Sequence, residues 1–153
     1  MNDVTPISES LAFKLHRATV LVDRAADTFL RTRLDISYSL FSVLLVAGTM
    51  REPSQRQIAD ALAVSRASIT QRIAALGQRG LVRVVPDARD GRAARVLLTA
   101  EGGALLTAAW GAMEAHDDGI DRGVDVAALE RELDRLIANA IDQLHGPDTR
   151  EAT

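Results

Sequence analysis

The side chains best suited to binding a charged partner are concentrated in one segment, Ser65 to Val96. This segment holds seven arginines and two aspartates, so its charge is +5, while the 153-residue chain has a net charge of −3 and the remainder carries −8. Arginine presents a planar fork of N–H donors that matches phosphate oxygens. A basic segment in an acidic chain indicates a surface that contacts a polyanion such as DNA. A merely solvated arginine-rich face is the alternative that charge alone leaves open.

The first half of this segment has the pattern of a helix that can enter the major groove of DNA. Ser65 is placed to cap the helix, and Gly80 follows its end. Ile69, Ile73 and Leu76 recur on one face, which we expect to be buried. The opposite face then presents small and polar side chains to a partner.

Several side chains on that outer face have the chemistry to contact DNA. Gln71 can pair with adenine, Arg66 can reach guanine or phosphate, and Thr70 can meet a thymine methyl group or a phosphate oxygen. Ser68 and Arg72 are better suited to the phosphate backbone. The residues of this helix predicted to contact DNA are Ser65, Arg66, Ser68, Thr70, Gln71 and Arg72.

The elements on either side of this helix complete a DNA-binding surface. Ser54 and Gln57 have the spacing of a capping box, which predicts a short helix over residues 54–61. After Gly80 two apolar runs, 81–85 and 94–98, flank a polar turn and predict a β-hairpin. Two short helices, a tight turn and a basic hairpin together are typical of a helix-turn-helix DNA-binding unit.

The tip of the predicted hairpin carries two arginines, Arg89 and Arg92. Arginine is favoured in a narrow, strongly negative minor groove. We predict that both contact DNA and that one of the two, Arg89 or Arg92, enters the minor groove. Asp87 is predicted to pair with a nearby arginine and stiffen the turn.

The remaining periodicity predicts four more helices. A first helix from Ser8 carries a heptad-like apolar stripe, wide enough to imply a partner helix from another subunit. Ser37 is placed to cap a second helix that stops near Gly48, and Thr99 a helix that follows the hairpin. Asp125 begins the last helix, and the tail after residue 147 is expected to be flexible.

The composition excludes several function classes. The chain has no cysteine, so disulfides, thiolate zinc sites and thiol redox sensing are absent. The histidines, His16, His116 and His145, lie far apart, and we expect neither a metal site nor a cofactor. No recognisable nucleophile and base, carboxylate pair or phosphate loop points to an enzyme. Since neither a signal peptide nor a membrane span is evident, the cytoplasm is the expected location.

Three motifs in and around the hairpin resemble the wing region of MarR-type transcriptional regulators, which are winged helix-turn-helix proteins. They are Gly80-Leu81-Val82-Arg83, Asp87-x-Arg89-Asp90-x-Arg92 and Leu98-Thr99-x-x-Gly102. The resemblance implies a mainly α fold with a small β-hairpin wing, in a single domain over residues 1–147 with a flexible tail at 148–153. The winged helix-turn-helix would span about 37–98, and the dimerisation helices about 8–34 and 99–145.

The same resemblance implies a homodimeric, ligand-responsive repressor that binds a pseudo-palindromic operator in duplex DNA and has no catalytic activity. A small aromatic or acidic effector would bind in a cleft between the dimerisation helices and the winged domain. Its candidate contacts here are His16, Tyr38, Phe41 and Trp110. The absence of cysteine separates this chain from the oxidant-sensing branch of the family.

Two alternatives to a specific regulator follow from the same features. A winged helix can serve as a protein-interaction module whose basic surface contacts an acidic partner instead of DNA. A ligand-sensing dimer can also bind DNA with little sequence preference, through charge alone. Arginines on the wing tip beside a groove-compatible helix favour specific DNA binding, and competition with unrelated duplex distinguishes the three.

Overall fold

The protein is mainly helical, with an antiparallel hairpin between its fourth and fifth helices, which confirms the predicted fold class. The computed structural model describes residues 7–88 and 94–145. After a 3-10 turn at Ile7–Glu9, the described elements are α1 Leu11–Leu34, α2 Tyr38–Met50, α3 Gln55–Ala61, α4 Arg66–Gln78, β1 Val82–Pro86, β2 Ala94–Leu98, α5 Ala100–Glu114 and α6 Val126–His145. The chain divides after Asp117 into two compact units, of which the second contains α6.

Side-chain caps fix where most helices begin. The predicted caps that the structure confirms are Ser37, Ser54, Ser65 and Thr99. In the capping box, the Gln57 side-chain oxygen accepts the Ser54 backbone N–H at 2.9 Å, which confirms the predicted pairing. The first helix, predicted from Ser8, begins three residues later at Leu11, with Ser10 as its N-cap. A short polar side chain that accepts an N–H of the first turn replaces a partner that the helix itself cannot supply.

Gly48 lies inside α2, which ends two residues after the stop predicted at Gly48. The helix continues to Met50. A Cβ atom at Gly48 would lie 2.7 Å from Leu106 Cδ2 on α5. The glycine therefore permits close packing of α5 against α2 and does not terminate the helix.

The most apolar helix, α2, supplies the centre of the core. Its fully or almost fully buried side chains are Phe41, Val43, Leu44 and Ala47. They pack in one cluster with Leu30 of α1, Ile73 of α4 and Val96 of β2, among others. In the described part of the chain no single helix is long and apolar enough to span a bilayer. Helices α1 and α2 reach that length and apolar composition only when taken together, and they are bent by 87° relative to each other.

The carboxylate of Asp27 joins the end of α1 to the beginning of α2. One oxygen accepts the Tyr38 backbone N–H at 2.8 Å, and the other accepts Arg31 Nε at 2.6 Å. The hydrogen bond from Arg31 and the one from the Tyr38 backbone lower the pKa of Asp27 below its usual value. The charged carboxylate thus holds α2 at a fixed angle to α1.

We expect Asp27→Asn to lower the free energy of unfolding by about 0.5–1 kcal/mol at pH 7, since an amide accepts hydrogen bonds less strongly than a carboxylate and the pair is partly exposed. Because the pKa of Asp27 is lowered in the folded state, its carboxylate stabilises the fold at pH values above the pKa of the unfolded chain. This contribution is lost as the pH falls through the folded-state pKa. The difference between variant and wild type should therefore shrink below about pH 4. Urea titrations from pH 3 to 7 measure it, with Asp23→Asn, one turn earlier on α1, as control. A difference that is independent of pH would contradict this role of the charge.

Backbone hydrogen bonds connect the hairpin to the segment before α3 and close its base at the start of α5. The Val96 N–H of β2 donates to the Pro53 carbonyl oxygen at 2.9 Å, and the Thr99 N–H donates to the Leu81 carbonyl oxygen at 3.1 Å. The Thr99 hydroxyl oxygen in turn accepts the Gly102 N–H at 3.0 Å. Thr99 therefore both closes the base of the hairpin and caps α5.

Candidate nucleic-acid interface

Helices α3 and α4 form the predicted helix-turn-helix, with the predicted face of α4 turned inward. Ile69, Ile73 and Leu76 are at most 4% exposed. Packing of this face against the core fixes the rotation of α4 about its own axis. The polar residues of α4 are consequently directed away from the protein.

The structure brings six of the predicted DNA-contacting residues together on this outer face and at the start of α4. The exposed ones are Ser65, Arg66, Thr70 and Gln71, and the half-buried ones are Ser68 and Arg72. Small and polar side chains at the start of a helix leave room for its approach to base edges. Two cationic and four neutral polar side chains therefore occupy one surface.

Two of these residues also have structural partners. The Ser65 hydroxyl oxygen accepts the Ser68 N–H at 3.2 Å as the N-cap of α4. Its own proton is still available to a phosphate oxygen, because a hydroxyl both donates and accepts. Thr70 Oγ1 lies 3.0 Å from both Gln55 Oε1 and the Arg66 carbonyl oxygen. The hydroxyl of Thr70 has one proton to donate, and both of these acceptors lie within the protein.

The structure adds Gln55 to the site, although no pattern in the sequence predicts a role for it there. It occupies the first position of α3 and accepts the Thr70 hydroxyl across 15 residues of sequence. This contact ties the two helices of the helix-turn-helix together at the end where Ser65 begins α4. A side-chain contact over this separation has no signal in local sequence periodicity.

The wing, meaning β1, β2 and the segment that joins them, contains the predicted contacts Arg89 and Arg92. Both lie in residues 89–93, outside the described residues, so their roles stay predictions. The strands pair in antiparallel register, with Val84 opposite Val96. Close to the joining segment the Asp87 carboxylate pairs with the Arg95 guanidinium, which confirms that Asp87 pairs with a nearby arginine.

The four effector candidates differ in their exposure and lie on three helices, α1, α2 and α5. Phe41 is 1% exposed in the core, and Tyr38 is half-buried with its ring centroid 6.4 Å from that of Phe41. His16 is exposed on α1, and Trp110 is 46% exposed on α5. Their assignment to an effector stays a prediction.

A cleft of about 380 Å³ lies elsewhere, between the ends of α1 and α5. Its lining residues are Phe29, Arg33, Leu34, Ala112, Ala115 and His116. The rings of Phe29 and His116 stack at 4.3 Å, and the Arg33 guanidinium lies 5.9 Å from the Phe29 centroid. None of the four effector candidates lines this cleft. Among the described residues no group of three or more histidines, aspartates or glutamates is placed to hold a metal ion.

The sequence of the winged segment matches a known family. Residues 32–93 match the sequence profile of the MarR family. The HTH-type transcriptional regulator PecS of Dickeya dadantii (strain 3937) is 33% identical over 94 residues, which cover 60% of this chain and 57% of PecS. The match therefore spans a little over half the length of that relative.

Solved structures resemble a larger share of the chain. The transcriptional repressor CouR bound to a 23-mer DNA duplex is similar over 88% of this chain and 94% of its own, with 26% identity and a TM-score of 0.74. CouR from Rhodococcus jostii RHA1 bound to p-coumaroyl-CoA is similar over 96% of this chain and 99% of its own, with 22% identity and a TM-score of 0.74. The transcriptional regulator BldR from Sulfolobus solfataricus has a TM-score of 0.75 at 23% identity, over 88% of this chain and 99% of its own.

Proposed function

We propose that this chain, whose residues 32–93 match the MarR family profile, is a DNA-binding transcriptional regulator of that family with no catalytic activity of its own. It acts in the cytoplasm as a homodimer on a pseudo-palindromic site in duplex DNA. It represses where that site overlaps a promoter. A small aromatic or acidic effector weakens the binding.

The observation that carries this proposal is the outward polar face of α4. Burial of Ile69 and Ile73 directs Arg66 and Gln71 away from the core. A helix of this kind beside a hairpin rich in arginine suits a major groove and the adjacent minor groove. CouR, whose fold is similar, was solved with a DNA duplex, and this supports the same use of the fold here.

Exposed apolar side chains on the first and last helices support the homodimer. On α1 they are Leu11, Phe13, Leu21 and Val22, and on α6 they are Val126, Leu129, Leu136, Ile137, Ile141 and Leu144. Large exposed apolar surfaces usually mark contacts with another molecule. In a symmetric dimer the two copies of α4 would enter successive major grooves about 34 Å apart.

An effector acts by favouring a dimer in which the spacing of the two α4 helices no longer fits the grooves. Its effect on DNA affinity is limited by the difference between its affinities for the two states. The solved complex of CouR with p-coumaroyl-CoA supports ligand binding in a protein of this fold. The proposed contacts stay His16, Tyr38, Phe41 and Trp110.

The test is a titration of the full chain against duplexes selected from a random library, with unrelated duplex as competitor, at two salt concentrations. The proposal predicts binding that survives the competitor and weakens as salt rises, because phosphate contacts release counterions. Equal displacement by unrelated duplex would indicate binding by charge alone. No binding at low salt would favour a protein-interaction module.

A pair of variants separates base contacts from phosphate contacts on α4. We expect Gln71→Ala to cost about 1–3 kcal/mol against the selected site and to relax preference at one base pair. Arg72→Ala should weaken binding to all sequences alike and lower the salt slope by about one. Measuring both variants against the selected duplex and its single-base substitutions provides the comparison. If Gln71→Ala weakens all sequences equally, the residue does not contact a base.

A further inference from the structure

The wing is fixed to the start of α3 by contacts that converge on Arg95. The Arg95 backbone forms an isolated antiparallel bridge with Ser54. Its Nη1 donates to Gln57 Oε1 at 3.2 Å, and its Nε and Nη2 pair with the Asp87 carboxylate. The Arg95 side chain of β2 thus contacts Asp87, which follows β1, and Gln57 of α3, which is 38 residues earlier in the chain.

Asp87 and Arg95 stand on either side of the wing segment that contains Arg89 and Arg92. The Asp87 side chain is 8% exposed and Arg95 is 35% exposed, so water screens this pair less than a surface ion pair. Charge-assisted hydrogen bonds of this kind are stronger and more directional than neutral ones. The pair therefore holds the end of β1 to the beginning of β2, on either side of the joining segment.

The contact continues through α3 to α4. Gln57 Oε1, which accepts Arg95, also accepts the Ser54 N–H that starts α3. Next to Ser54 in sequence, Gln55 accepts the Thr70 hydroxyl of α4. Hydrogen bonds from Arg95 to Gln57 and from Thr70 to Gln55 thus attach both the wing and the helix proposed to enter the major groove to the first turn of α3.

We propose that Arg95 is a positioning residue, which fixes the wing at the distance and angle from α4 that allow both to contact DNA at once. The inference rests on the proposed function. A two-stranded hairpin is marginally stable alone and needs such a support. Arg95 itself does not contact phosphate in this proposal, because three of its nitrogens are used within the protein and the Asp87 carboxylate beside it would repel an anion.

The first test needs no DNA. Gln57→Ala removes the acceptor on α3 and should increase amide hydrogen exchange in the part of the wing next to the joining segment, residues 84–88 and 94–97, by about tenfold. Gln57→Glu keeps both the cap and the acceptor, so it should restore protection. Thermal melts establish that each variant is folded. Unchanged exchange in folded Gln57→Ala would overturn the proposal, whether or not the protein binds DNA.

The second test uses a duplex selected from a random library by the wild-type chain. Arg95→Gln should lower affinity about tenfold and remove hydroxyl-radical protection of the minor groove, while dimethyl sulfate protection of guanine N7 in the major groove persists. Arg83→Gln, which removes an exposed arginine from β1, is the control for charge and should keep both protections.

The double variant Gln57→Ala/Arg95→Gln distinguishes positioning from direct contact. If Arg95 acts through Gln57, the double variant should bind no more weakly than Arg95→Gln. Additive losses, with a salt slope lowered by about one in Arg95→Gln, would show a phosphate contact and overturn the proposal. If the wild-type chain selects no duplex, the proposed function fails, and the exchange measurement still decides whether Arg95 supports the wing.

Discussion

Gly102→Ala is expected to lower the free energy of unfolding by about 3 kcal/mol, although alanine is usually the better residue within a helix. A Cβ atom at Gly102 would lie 1.9 Å from the Leu81 carbonyl oxygen and 2.9 Å from its carbon. Real Cβ atoms do not approach a backbone so closely, so either the start of α5 or the beginning of the hairpin must move.

Movement of either segment would break contacts that stabilise the fold. Leu81 is 7% exposed in the core, and its carbonyl oxygen accepts the Thr99 N–H at 3.1 Å. Thr99 caps α5 through Gly102 itself. Relief of the clash would therefore disturb a buried side chain, a backbone hydrogen bond and a helix cap together.

Gly103 is a matched control, because it follows directly in α5 and a Cβ atom there would meet nothing within 4 Å. Gly103→Ala should be neutral or stabilise the protein by up to about 1 kcal/mol. Thermal or urea unfolding at one fixed protein concentration measures both variants, with a fall of about 10 °C in Tm expected for Gly102→Ala. Equal stabilities of the two variants would show that the close approach to Leu81 is not required.

Ile137→Asp is expected to separate the proposed dimer into monomers and to reduce affinity for a two-fold symmetric duplex at least about 10³-fold. Ile137 is 57% exposed on α6, among the exposed apolar residues of that helix. A carboxylate buried in a dimer contact would lose its hydration without gaining a partner. Separate chains also lose the high effective concentration that two linked α4 helices provide.

Ala138→Asp provides the control for this variant. It introduces the same charge at the next, also exposed, residue of α6, away from the apolar stripe. Sedimentation velocity should give the mass of two chains for wild type and Ala138→Asp, and of one chain for Ile137→Asp. Dimeric Ile137→Asp with wild-type affinity for DNA would remove α6 from the proposed interface.

The sequence determined the elements of this protein because the signals for them are local. Hydroxyl residues at Ser37, Ser54, Ser65 and Thr99 accept N–H groups three residues away, so the helix starts could be predicted from neighbours in the chain. The three-four spacing of Ile69, Ile73 and Leu76 determined which face of α4 is buried, and hence which residues face outward.

Only the tertiary structure decided how these elements constrain one another. Gly48 has the residue type of a helix end, yet its use depends on Leu106, which is 58 positions away in the chain. Thr70 was selected for its chemistry toward DNA, whereas its hydroxyl is engaged by Gln55. Arg95 contributes to the basic charge of its segment in the sequence. In the fold its guanidinium donates hydrogen bonds to Asp87 and Gln57.

The physical reason is the range of the interactions. Helix capping and apolar periodicity relate residues three or four positions apart in one helix, so a short stretch of sequence contains the whole signal. A close backbone approach or a hydrogen bond between elements depends on how distant segments pack, to within less than an ångström, and no local pattern specifies that distance.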